Sequence, residues 1–154
     1  MGDGEFVGDE CLALLSDLIG QTVRRVRRIN WDFHGDVDFD RGDLEITADR
    51  SVVWFDQAAD GSQLRGRRGP WVDPFEGSSP EFAEQYGHFS PIDVTESPEY
   101  ESIIGHEVAS VSLLGRPILS GRFTQIFGFD LATRAGTLRA WVSLDEFYVG
   151  VSAT

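Results

Sequence analysis

The sequence predicts an α+β fold: two pseudo-repeated units, each a helix followed by an antiparallel meander, forming one rolled or packed sheet core. Three observations carry this expectation. The skeleton apolar-Ile-Gly-x-x-Val-x-x-Val occurs twice, as L-I-G-Q-T-V-R-R-V at 18–26 and I-I-G-H-E-V-A-S-V at 103–111. A second match follows each copy: Phe55-Asp56 leads to Leu64-Arg65, and Phe129-Asp130 to Leu138-Arg139, with nine positions from Phe to Leu both times. After each Gly the apolar period becomes two, as in strands with one buried face. Self-similarity in a fixed order is how a duplicated unit shows itself.

The chain reads as a single domain over 1–154, with unit one at about 9–69, an acidic aromatic connection at 70–97, and unit two at about 98–151. In unit one, Asp9 is positioned to cap C-L-A-L-L-S-D-L-I, with Glu10 in the first turn and Gly20 just past the end. Leu12, Leu15, Leu18 and Ile19 are expected to form its buried stripe. Leu44 and Ile46 then alternate with Glu45 and Thr47. In unit two, Ser97 caps, Pro98 takes the first helical position, and Gly105 ends a shorter helix. Leu138, Ala140, Val142 and Leu144 define the buried face of a strand, and Glu146 to Val151 form the last strand. Turn signals lie at Asp40-Arg41-Gly42-Asp43, Asp60-Gly61 and Ala135-Gly136.

With its two skeletons and the acidic-aromatic ending Asp145-Glu146-Phe147-Tyr148-Val149, the layout resembles a group of small bacterial proteins. These carry two Gly-x-x-Val-x-x-Val-plus-hairpin units and have no assigned activity. The resemblance implies architecture alone.

Composition narrows the function classes. The 154 residues include 26 acids and 13 bases, all of the bases Arg, for a net charge of -13. A hydrophobic content of 41% excludes a disordered acidic tail and suits one core. The net charge argues against a nucleic-acid backbone as partner. No apolar run reaches membrane-spanning length, and the acidic N-terminus lacks the features of a signal peptide. Cys11, the lone cysteine, has no partner for an intramolecular disulfide and reads as a core thiol. A cytoplasmic location is expected, with the oligomeric state left open. Codon bias or salt adaptation accounts for Arg without Lys, so no single Arg is read as selected over Lys.

The connection differs from both flanks. Residues 70–101 hold five of the six prolines, eight acids and no Arg. Ser79-Pro80-Glu81, closed by Gly87, reads as a short capped helix. Its aromatics either anchor the connection across the sheet or join the acids in a docking surface for a basic protein. The candidate partner-binding residues are Trp71, Phe75, Glu76, Glu81, Phe82, Glu84, Tyr86 and Phe89.

Candidate chemistry is sparse. Residues 31–40 are expected as one strand, with Asp32, His34, Asp36, Asp38 and Asp40 on one face. The weak alternative is a divalent-cation site at Asp36, Asp38 and Asp40, but a calcium loop starting there would need Gly and Glu where Arg41 and Thr47 stand. Arg24, Arg25, Arg27 and Arg28 are the expected charge partners of that acidic face, and Gly66-Arg67-Arg68-Gly69 reads as a loop. His34, His88 and His106 are scattered, and neither zinc spacing, a nucleophile elbow nor a phosphate loop occurs. An acid–base pair could be drawn only from Asp130, Asp145 and Glu146. The expected function is a non-enzymatic binding protein, of inhibitor or immunity type, for a basic partner and without a cofactor. The alternative is a small enzyme with its cleft between the two units.

Overall fold

The computed structural model describes residues 6–7, 10–37, 42–57, 63–144 and 146–154. Along the chain these form β1 (Phe6–Val7), α1 (Glu10–Ser16), β2 (Val23–Phe33), β3 (Asp36–Val37), β4 (Asp43–Ala48), β5 (Val52–Gln57) and β6 (Leu64–Arg68). Then come α2 (Pro80–Tyr86), β7 (His88–Asp93), a 3-10 turn (Pro98–Tyr100), β8 (Ser110–Ile118), β9 (Phe123–Ala132), β10 (Gly136–Ser143) and β11 (Glu146–Ala153). The fold is α+β. Neither helix is long and apolar enough to cross a membrane among the described residues.

Two sheets enclose one core. In the first, β2, β4, β5 and β6 form an antiparallel meander, with β7 on the other flank of β2. In the second, β8, β9, β10 and β11 form another meander, and the short β1 pairs in parallel with Thr124 and Gln125 of β9. Alternation along the strands sends Leu44, Ile46, Val53 and Phe55 inward from the first sheet, and Ile126, Phe129, Leu131, Leu138, Ala140 and Val142 from the second. Phe55 and Phe129 meet between the sheets, ring centroids 4.7 Å apart. Helix α1 packs beside β6 and β8. Its buried residues are Cys11, Leu14 and Leu15, and Leu18 is buried just beyond it, the i, i+3, i+4, i+7 stripe of a helix. Leu12 and Ile19, expected in that stripe, are exposed, because the true stripe is set by Cys11 and Leu14 and the helix ends at Ser16.

The two Gly-x-x-Val stretches bond to each other. The Gly20 N–H donates to Val108 O (2.9 Å) and the Gly105 N–H to Val23 O (2.8 Å); the Val108 N–H donates to Gln21 O (2.9 Å) and the Val23 N–H to His106 O (3.1 Å). Each stretch thus satisfies the other's backbone groups in the same way. Gly20 and Gly105 have φ of 85° and 79°, the left-handed conformation that turns the chain into this seam. The second pair of matches is also alike locally: Asp56 faces Arg65 across β5 and β6, and Asp130 faces Arg139 across β9 and β10. However, β5 is the third strand of its meander and β9 the second. The span from Gly20 to Phe55 exceeds that from Gly105 to Phe129, 35 positions against 24, and it holds two more strands, the short β3 and β4.

Several local expectations change. The second unit opens with a 3-10 turn instead of a helix, and the Ser97 side chain makes no capping bond. Tyr100 and Ile103, three apart, are both buried, which suits three residues per turn. Leu144 is not in the inward set: β10 stops at Ser143, and Leu144, just past its end, takes φ of 50° and is 90% exposed. The acidic run is not one strand. His34 and Gly35, with φ of 53° and 85°, form a tight turn between β2 and β3, so Asp32 and Asp36 sit on opposite arms of a hairpin. Asp38, Asp40, Arg41 and the Asp60-Gly61 turn lie outside the described residues, as does Asp9. The 66–69 stretch is mostly edge strand, with the Arg67 guanidinium 5.3 Å from the Trp54 ring centroid.

Candidate functional site

The outward face of the first sheet is covered. Arg25, Arg27, Ile29 and Trp31 of β2 share that face with Glu45 of β4 and Phe89 of β7, through the register Arg27–Glu45 and Trp31–Phe89. Ile29 is only 1% exposed although it lies outside the core cluster, because the connection runs over it as a strap. Trp31 meets Phe89 edge-on at 4.8 Å and Phe75 at 6.0 Å, and Phe89 also contacts Trp71 at 5.7 Å. Phe75 stacks on Phe89 at 5.8 Å and leans on Phe82 at 5.2 Å. Trp31 Nε1 donates to Tyr86 O (3.0 Å), pinning the end of α2. There Gly87 has φ of +93°, and a Cβ on it would stand 2.5 Å from Asp32 O. The helix itself is as expected: Ser79 Oγ accepts from the Phe82 N–H.

Glu45 ties strap to sheet. Its carboxylate is fully buried and takes a two-pronged bond from Arg27 (2.7 Å each), with Arg25 at 3.4 Å and the Trp71 N–H at 2.8 Å. Burial pushes its pKa up, but the bonds from Arg27 and Trp71 and the charges of Arg27 and Arg25 outweigh that and hold it below the usual carboxylate range. Among the described residues, therefore, the arginines do not pair with Asp32 or Asp36. Arg25 and Arg27 serve Glu45, Arg24 bonds Asp49 at 2.7 Å, and Arg28 turns inward. The antiparallel register with β4 decides this.

The structure brings the candidate residues together in two layers. Trp71, Phe82 and Phe89 are half-buried in the stack, while Phe75 and Tyr86 are 41% and 52% exposed. Glu76, Glu81 and Glu84 point to solvent. Of the suggested acid–base group, Asp130 is committed to Arg139 through two 2.7 Å bonds, and Asp145 is outside the described residues. Asp36 is exposed, and among the described residues no three metal-capable side chains converge.

Asp43 shares the outward face beside Asp56, which Arg65 holds at 2.8 and 2.7 Å. Burial, with Asp56 adding to it, pushes the Asp43 carboxyl up to about 7 against the pull of Arg28 and Arg65. The folded chain then keeps a proton that the unfolded chain has lost, so stability falls as pH climbs from 3.8 towards 7. Asp43→Asn is expected to stabilise the protein by roughly 2–4 kcal/mol at pH 8 and hardly at all near pH 4, read from urea midpoints. A gap constant across that range would contradict this account.

A cleft of about 350 Å³ opens between the sheets, lined from β2 by Arg28 and Asn30, from the 3-10 turn by Glu99 and Tyr100, and from β10 and β11 by Trp141 and Tyr148. Arg28 is 5% exposed; its Nη2 donates to Gly42 O (2.9 Å) and its Nε to Asp43 O (3.4 Å), and it also bonds the Tyr100 hydroxyl. Burial raises the Tyr100 pKa despite Arg28. Among the described residues no carboxylate lies within salt-bridge distance of Arg28. Sequence reasoning missed this site. Its one signal is that Arg28 and Asn30 continue the inward series begun by Val26. No protein-family model, curated protein or solved structure matches the chain.

Proposed function

We propose that this is a non-enzymatic, cytoplasmic binding protein that docks a basic protein partner on the strap, in the manner of an inhibitor or immunity-type protein. One observation carries the reading. Trp71, Phe82 and Phe89 hold the strap down, while Glu76, Glu81 and Glu84 face solvent beside the half-exposed Phe75 and Tyr86. Among the described residues none of those three acids has an ion-pair partner. A surface ordered before binding loses little entropy on docking, charge steers a basic partner, and exposed aromatics supply contact energy. The same reading takes the chain as a duplication of the kind found in small bacterial proteins, supported by the reciprocal bonds of Gly20 and Gly105. A second reading, a small enzyme, draws on the cleft between the sheets.

The test compares the parent with the triple variant Glu76→Gln, Glu81→Gln, Glu84→Gln as bait in source-cell lysate at low salt. A basic protein should bind the parent, elute with salt, and bind the variant at least about tenfold more weakly. Retention of the same proteins by both baits, or of none by either, would sink the proposal.

A further inference from the structure

We infer that the cleft between the two sheets binds a small aromatic monocarboxylate, with Arg28 receiving the carboxylate and the stacked Trp141 and Tyr148 forming an aromatic wall beside the ring. The inference is independent of the strap, which covers the opposite face of β2. It starts from a buried cation. Among the described residues the partners of Arg28 are the Gly42 and Asp43 carbonyls and the Tyr100 hydroxyl, and its guanidinium lines the cleft. Those carbonyls satisfy hydrogen bonds but do not neutralise the charge. Asp43 acts on Arg28 only from beyond salt-bridge distance among the described residues, and a planar fork of donors matches a carboxylate.

The remaining walls set the rest of the ligand. Trp141 and Tyr148 lie nearly parallel, centroids 5.5 Å apart with 22° between planes, and offer an extended aromatic surface. Ile92 and Val94 supply apolar contact from the first sheet. The volume falls in the range of small-molecule sites, and the lining mixes apolar and aromatic walls with the polar groups of Arg28, Asn30 and Tyr100 that would fix a ligand's orientation. Glu99 selects among anions. It is exposed at the cleft and close enough to raise the Tyr100 pKa, so it disfavours a dianion such as phosphate more than a single carboxylate.

The experiment titrates the intact protein with benzoate, indole-3-acetate, benzamide and inorganic phosphate, following tryptophan fluorescence and, in parallel, calorimetry. Saturable binding of one or both carboxylates is expected, with benzamide and phosphate at least about tenfold weaker. Arg28→Lys keeps the charge but loses the fork, and should weaken carboxylate binding about tenfold. Tyr148→Ala, at a half-exposed position, should weaken it while leaving Arg28 and the fold in place; circular dichroism checks the fold of each variant. No saturable carboxylate binding up to about 10 mM, or benzamide or phosphate binding as tightly as the carboxylates, overturns the inference. So does full affinity in folded Arg28→Lys together with folded Tyr148→Ala.

Discussion

Glu45→Ala is expected to destabilise the protein by about 3 kcal/mol, near the lower end for breaking a buried ion pair because Arg27 keeps some access to water. The substitution leaves Arg27 without its two-pronged acceptor and the Trp71 N–H without its acceptor, so strap and sheet lose one shared anchor. Glu45→Gln should cost roughly half as much, since an amide oxygen can still accept from one donor. Urea unfolding gives the two values. The pKa of Glu45 is lowered on folding, so its contribution is fully present above 4.5 and disappears as pH falls through the lower folded value. The gap between parent and Glu45→Gln should therefore narrow on acidification. Equal stability of parent and Glu45→Ala at pH 7 would show that the strap does not depend on this carboxylate.

Phe129→Ala should cost about 3–5 kcal/mol, the range for emptying a large aromatic site in a core that cannot collapse around it. The ring is fully buried against Phe55 from the opposite sheet, so the void lies between the layers. Phe55→Ala should cost a similar amount, and the double substitution less than the sum, because both remove the same contact. A double-mutant cycle that adds within about 0.5 kcal/mol would contradict direct packing of the pair.

Much of the first-order architecture was legible from periodicity. Leu44 and Ile46, and Leu138, Ala140 and Val142, face the core as their alternation implies. Ser79, Pro80 and Gly87 mark α2 at both ends. What failed did so for local reasons. The hairpin at His34-Gly35 was hidden because a histidine in the left-handed region is uncommon, and the acids around it suggested one continuous face. Strand β7 was hidden by Pro91, which weakens a strand signal but is tolerated here because β7 lies on the flank of β2 beyond the meander. The strap's acids and aromatics were visible as a group, yet their division into anchors and outward charges depends on Trp31 and Glu45, dozens of positions earlier in the chain. The cleft was the least legible feature, since its walls come from β2, the 3-10 turn, β10 and β11, and no single segment has an unusual pattern.

Strand β1 belongs to the first half of the chain but pairs with β9, and β7, the last part of the strap and in the second half of the chain, pairs with β2. Neither half holds all the strands of its own sheet. It follows that the halves are interlocked by exchanged strands as well as by the Gly20–Gly105 seam, and that folding is a property of the whole chain. A nick within 72–78 would sever the covalent link while leaving each fragment clasping the other. The same topology gives the molecule a route to domain-swapped pairs, in which the second half of one chain completes the first half of its neighbour.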